Sequence, residues 1–207
     1  GSGAPLRFQA SWINDAEFMG YFVAMDEEFD FYTKAEVIVQ YLPGGPQVIP
    51  ETSLLNNSAE IALTTPETTA KYIVRDGVDF VIVGAQYQKN PIGIVSLARR
   101  PINTPQDLVG KRLAVAPVNQ LTVEAMLRMN NIDPGRVTIV PYTYDPQILI
   151  SGAADATVDF ATNVPFTIRS LGHDSHSFLL YDAGFKVFND TVVVQRAVLD
   201  ERMEDVA

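Results

Sequence analysis

The chain has 207 residues, 47% of them apolar and 19% charged, a balance that supports one large domain or two smaller lobes and excludes wholesale disorder, collagen-like repeats and coiled coils. With 15 Lys and Arg against 25 Asp and Glu the net charge is −10, which argues against a nucleic-acid or anionic-membrane binder, since both need a basic face. Cysteine is absent, so disulfides, thiolate metal sites and cysteine nucleophiles drop out.

In chain order, Gly1-Ser2-Gly3 reads as a cloning remnant. The N-terminus shows no basic and apolar export leader, so any such signal is expected to have been removed. Apolar runs stay short of the roughly 18 residues that a membrane helix needs. Short β-branched runs predict strands at Phe8 to Ser11, Val37 to Tyr41, Glu60 to Leu63, Phe80 to Ala85, Ile92 to Ala98, Arg112 to Ala116, Val137 to Val140, Thr157 to Phe160, Ser177 to Tyr181 and Thr191 to Gln195. Helical stretches between them imply an α/β fold with largely parallel sheets flanked by helices.

The first helix is signalled by Asn14 as cap, Glu17 as its capping-box partner, and an apolar stripe of Phe18, Phe22, Met25 and Phe29. Thr104-Pro105-Gln106-Asp107 starts another short helix, and Leu121 to Asn130 is helical again. Residues 1–50 hold seven acidic and two basic side chains, whereas 89–112 hold five basic and one acidic. That shift, with the polar segment Gln86 to Pro91, divides the chain into a first lobe of residues 6–86 plus 187–207 and a second of 91–182. Residues 87–90 and 183–186 are then hinge crossovers. His173 and His176 fall in a Gly/Asp/Ser loop, too isolated for metal or catalysis, and read as surface residues.

Several segments carry a resemblance: YQKNPIGIVSL (87–97), INTPQDLVGKRLAV (102–115), DPQILISGAADATVDF (145–160), GFKVFNDTVVV (184–194) and PGGPQV (43–48). Together they resemble the solute-binding proteins of bacterial ABC importers, in the branch that takes up thiamine pyrimidine precursors, riboflavin, alkanesulfonates, taurine and nitrate. The resemblance implies the periplasmic-binding-protein type II fold, two lobes on a hinge that close over a small-molecule ligand. It further implies a membrane permease as partner, an extracytoplasmic location with a lipid anchor open in the precursor, no catalysis, no cofactor and a monomer. Members of this family run longer than this chain, so it is expected to be truncated. A sensor domain and a sulfonate or nitrate binder stand as alternatives. A related enzyme that builds the thiamine pyrimidine uses a cysteine-rich motif, which this chain lacks.

In doubly wound sheets ligands sit beyond the carboxyl ends of strands. That rule selects Trp12 and Asn14 after the first strand, where Trp12 either stacks on a planar ring or locks a helix to the sheet. Gly44 and Gly45 either let the backbone approach a ligand or make a tight turn. Thr65 either faces the ligand or caps a helix. Tyr87 lies on the first crossover. In the second lobe the rule selects Asn119 and Gln120 at a helix start, then Tyr142, Tyr144 and Asp145. The bland reading there is a packed tyrosine with Asp145 as a cap. Thr162 and Asn163 follow, Asn163 also as a helix cap; Asn189-Asp190 lies on the second crossover, a position that the resemblance brings near the ligand and that otherwise supplies hinge hydrogen bonds. Aromatic and amide side chains without Arg or Lys beside them point to a neutral or weakly charged heteroaromatic ligand.

Overall fold

The computed structural model describes residues 3–207, so Gly1 and Ser2 of the expected cloning remnant lie outside the described residues. The chain forms two compact units, one ending at Tyr87 and resuming over Phe188–Ala207, the other Gln88–Val187.

The first unit holds β1 (Leu6–Gln9), β2 (Val39–Leu42), β3 (Ile61–Thr64), β4 (Phe80–Tyr87) and, much later in sequence, β10 (Asn189–Gln195). The second holds β5 (Ile92–Leu97), β6 (Arg112–Val115), β7 (Thr138–Pro141), β8 (Ala156–Phe160) and β9 (Ser175–Leu179). Their orders are β2-β1-β3-β10-β4 and β7-β6-β8-β5-β9. Helices α1 (Met19–Met25), α2 (Phe31–Lys34), α3 (Pro50–Leu55), α4 (Pro66–Asp76), α8 (Arg196–Glu201) and α9 (Met203–Val206) belong to the first unit. The second has α5 (Gln120–Met129), α6 (Gln147–Ile150) and α7 (Val164–Ser170). This is the expected α/β architecture of two sheets flanked by helices.

The pairing is more mixed than strand–helix alternation suggests. β1–β2, β1–β3, β6–β7 and β6–β8 are parallel, but β10 runs antiparallel to β3 and β4, and β5 antiparallel to β8 and β9. β5 and β10 are the strands by which the chain enters a unit after leaving the other, so no local βα crossover fixes their direction.

Period-two burial divides each sheet between two cores. Leu6, Phe8, Ile61 and Leu63 pack with Phe18 on one face of the first sheet, while Ala62 and Val193 pack with Leu54 and Phe80 on the other. In the second unit Ile92, Ile94, Leu113 and Val158 meet Val123, Met126 and Leu127 of α5; Val95, Leu97 and Ala114 meet Leu149, Val164 and Ile168. Thr104 and Asp107 form a capping box on a 3-10 turn, Pro105–Leu108.

Three local expectations are corrected. Asp15, not Asn14, caps the first helical turn: its side chain accepts the Glu17 N–H at 2.9 Å, and Asn14 is exposed. α1 ends at Met25 because Asp26 turns to extended backbone, so Phe29 leaves the stripe, lies 42% exposed and stacks on Phe31 instead. β9 begins two residues earlier than its apolar pattern suggests, which places His176 on a strand opposite Ser96 rather than in a loop.

Candidate functional site

Strand directions bring one edge of the first sheet together from the carboxyl ends of β1, β2, β3 and β4 and the amino end of β10. The register that pairs Asn189 with Tyr87 and Thr191 with Thr64 fixes this. Most first-unit candidates lie along that edge. Trp12 is half-buried against the Leu6–Phe8–Phe18 core, and its carbonyl accepts the Gly44 N–H at 2.9 Å. Gly44 is held by its own chain: a Cβ there would lie 2.4 Å from the Ala10 carbonyl oxygen and 2.5 Å from the Trp12 nitrogen. Gly45 is buried but has room, its nearest neighbour being Ile13 at 3.7 Å. Thr65 caps α4, accepting the Thr68 N–H at 3.4 Å and sharing a hydroxyl contact of 2.8 Å with Thr68. Thr65→Ala should therefore lower stability by about 1 kcal/mol, read as a drop in Tm; an unchanged Tm would mean the cap is idle.

The edge also gathers carboxyl groups, among them that of Glu17, which the sequence had placed only in a capping box. Asp190 is only 4% exposed; Ser11 Oγ donates to its Oδ1 at 3.2 Å, and Oδ2 meets no N–H or hydroxyl donor. Glu17 lies within hydrogen-bonding reach of it, and Asp15 and Tyr87 are close enough to act on the pair electrostatically. Burial first, then Asp190, pushes the Glu17 carboxyl up to about 9. Burial also raises Asp190, while hydrogen bonds from Glu17 and Ser11 oppose the rise. Two carboxyls in such contact share a proton, with Glu17 as its holder. Gln86 Nε2 ties the Glu17 carbonyl to β4 at 2.9 Å. Asn189, 2% exposed, has a side-chain oxygen without a partner.

In the second sheet the corresponding edge is made by the carboxyl ends of β6, β7, β8 and β9 with the amino end of β5. Tyr142 is buried against Leu149, Val164 and Ile168, and its hydroxyl donates to Asp159 Oδ2 at 2.7 Å. Tyr144 has φ +64, a left-handed value that a tyrosine adopts only under tertiary constraint. Its ring centroid is 5.1 Å from that of Tyr142, and its hydroxyl bonds the buried Asn119 side chain. Burial raises both phenols, Tyr144 to about 12, so both stay protonated at any physiological pH. Asp159 is raised by burial, against the Tyr142 hydroxyl and the Phe160 N–H that favour its charge.

The remaining second-unit candidates stand apart from this cluster in different ways. Asp145 is exposed and accepts the Gln147 N–H at 2.9 Å, capping the turn into α6. Thr162 and Asn163 are exposed, and Asn163 holds the N-cap position of α7 without a side-chain bond. Gln120 is exposed and borders, with Glu124, Pro134 and Ile139, a pocket of about 370 Å³. Among the described residues no group of three carboxylates or histidines is arranged to hold a metal. Lys89 of the crossover is committed to Asp182 at 2.9 Å and lies over the Tyr181 ring.

The sequence model of the family described as NMT1/THI5 like matches residues 15–207. The chain belongs to this family. No curated protein matches its sequence, whereas many solved structures share the fold of this NMT1/THI5-like chain. The periplasmic aliphatic sulphonate binding protein SsuA of Escherichia coli superposes with a TM-score of 0.75 at 16% identity, over 99% of this chain and 69% of that one. The alkanesulfonate-binding protein SsuA of Xanthomonas axonopodis pv. citri, bound to MOPS, gives 0.63 at 15%, over 100% and 70%. The GluR0 ligand-binding core with L-glutamate gives 0.68 at 11%, over 100% and 91%. At such identities the likeness shows the fold alone, the type II binding-protein architecture.

Proposed function

We propose that this chain is an extracytoplasmic solute-binding protein that captures a small, flat heteroaromatic nutrient for the membrane permease of an ABC importer. Riboflavin and a thiamine pyrimidine precursor are the leading ligands. The solved relatives of this fold that are named as importer components support the transport role, and no reaction is assigned to the chain. The observation that carries the ligand class is the composition of the two strand-end edges. On the first unit's edge Trp12, Tyr87 and the Asn189 amide accompany the carboxyls of Asp15, Glu17 and Asp190; on the second unit's edge Tyr144 and the Asn119 amide accompany Asp159, and Lys89 of that unit is spent on Asp182. Aromatic faces and hydrogen-bonding edges suit a planar heterocycle. Desolvated carboxyls repel an anion.

The sulfonate-binding relatives favour a second reading, in which the ligand is a sulfonate. Titration of riboflavin, a thiamine pyrimidine, taurine and nitrate, followed by the fluorescence of Trp12, the only tryptophan, separates the two. A heteroaromatic should bind with little dependence on salt, and Trp12→Ala, which has no tryptophan and is titrated by calorimetry, should weaken it by about 2- to 13-fold, the worth of one aromatic contact. Tight, salt-sensitive binding of taurine or nitrate without response to either heterocycle would establish the second reading instead.

A further inference from the structure

The entry of β10 into the first sheet is built at a cost. Asp190 has φ +47, in the left-handed region where a non-glycine residue is strained. This backbone delivers a carboxyl that is almost wholly removed from water and whose Oδ2 meets no N–H or hydroxyl donor, so that beside the Ser11 hydroxyl its partner is a second carboxyl, that of Glu17. A buried carboxylate with no cation beside it is destabilising, more so than a neutral buried group.

The groups facing it do not supply a positive charge. From the first helical turn come Asp15 and Glu17, from α1 Tyr21 and from β4 Tyr87, while Tyr41 of β2 faces Asp15 and Glu17; every one is an acid or a phenol. The side chain of Asn189, next in the strand and 2% exposed, adds a further oxygen without a donor. The edge therefore gathers buried carboxyl and amide oxygens from two separate elements with no cation among them, at the end of the sheet where the fold places ligands.

We propose that Asp190 and Glu17 form a subsite for a positively charged nitrogen group of the ligand, an ammonium or amidinium, which displaces the single proton that the two carboxyls share when the subsite is empty. The balance is simple. The empty pair carries one proton and one negative charge. On binding, Glu17 gives its proton to solvent, the cation donates N–H bonds to both carboxylates, and the site again carries one net negative charge. The high affinity of Glu17 for its proton, set by burial and Asp190, keeps the empty pair half-neutralised near neutral pH. The proposal rests on the reading that this edge binds a small ligand, and it holds for any ligand bearing such a group.

Probes of one shape and three charges test it: benzamidinium, benzamide and benzenesulfonate, titrated calorimetrically into the intact chain at pH 7.5 in phosphate and in Tris. Benzamidinium should bind at least about tenfold more tightly than benzamide, and benzenesulfonate should not bind. The heat should differ between buffers by the release of close to one proton per site. Affinity for benzamidinium should rise between pH 6 and about 9, the direction required when a ligand displaces a proton held up to that pH. Glu17→Gln, which keeps the shape of the protonated acid, should abolish proton release and weaken benzamidinium binding by about tenfold or more. Asp190→Asn should weaken it similarly, with circular dichroism reporting that each variant is folded.

Equal binding of benzamide and benzamidinium, absence of benzamidinium binding, or binding with no proton released overturns the subsite. If riboflavin or a thiamine pyrimidine still binds in that case, the heteroaromatic reading survives the loss. If benzamidinium binds as expected while both heterocycles are silent, the subsite stands and the ligand reading falls.

Discussion

Gly44→Ala should unfold or severely destabilise the first unit, by about 3 kcal/mol or more, the upper part of the range for forced overpacking. The added Cβ would lie 2.4 Å from the Ala10 oxygen, 2.5 Å from the Trp12 nitrogen and 2.7 Å from the Ser11 carbonyl carbon. All three are backbone atoms, so no side-chain rotation relieves the contact. The segment from Ala10 to Trp12 must move, and it carries both the Ser11 hydroxyl that bonds Asp190 and the Trp12 carbonyl that accepts the Gly44 N–H. Gly45 is the internal control: its Cβ would meet only Ile13 at 3.7 Å, so Gly45→Ala should change stability by less than about 1 kcal/mol. Thermal unfolding of the two variants side by side reads the difference, and equal transitions would show that the segment yields without cost.

The pair also shows what a sequence displays and what it hides. Pro43-Gly44-Gly45-Pro46 displays a turn, and which glycine is indispensable depends on the segment from Ala10 to Trp12 that passes against it beyond the end of β1. The ten strands were legible because most are short β-branched runs cut by Gly, Pro, Asn or Asp, the exceptions being the aromatic and leucine-bearing β1 and β9, whose bounds are also displaced by two residues. Their directions were not, since nothing local in β5 or β10 says that the chain arrives from the other unit.

Among the candidates, Trp12, Asn119 and Tyr144 lie along the strand-end edges because the rule of carboxyl ends is topological and survives errors of a residue or two; Tyr87 and Asn189, chosen as crossover residues, pair at the first of those edges. Glu17 escaped the same reasoning, and Asp190 was met only as the neighbour of Asn189 on the second crossover. Glu17 satisfies a capping pattern with Asn14, so its carboxyl had a sufficient local explanation, yet the turn begins one residue later, on Asp15, and the Glu17 side chain is released toward a residue 173 positions away. An acid beside Asn189 at the mouth of an otherwise apolar strand, Thr191-Val192-Val193-Val194, was the signal available for its partner.

That long-range pair has a consequence for stability that runs against the usual behaviour of surface carboxylates. Below pH 4.5, the ordinary value for a glutamate, folded and unfolded chains both hold the Glu17 proton and the residue contributes no pH dependence. As the pH rises from there toward about 9, the unfolded chain releases a proton that the folded chain retains, so the unfolded state binds fewer protons and stability falls. Above about 9 both states are ionised and the loss is complete. The limiting slope for one group is about 1.4 kcal/mol per pH unit, but Glu17 keeps a solvent-exposed side, and screening there reduces the realised loss to about 1–2 kcal/mol at pH 8. Glu17→Gln removes the ionisable proton and keeps an N–H that can donate to Asp190. The variant should therefore match the parent chain near pH 4 and exceed it increasingly between pH 5 and 9, by several degrees in Tm at pH 8. Asp190→Asn probes the same contact from the other strand and should narrow that pH dependence as well, because the Glu17 proton loses the partner that helps hold it. A Tm difference that is flat across this range, or a glutamine variant that is less stable throughout, would mean that Glu17 is ionised in the folded chain and shares no proton with Asp190.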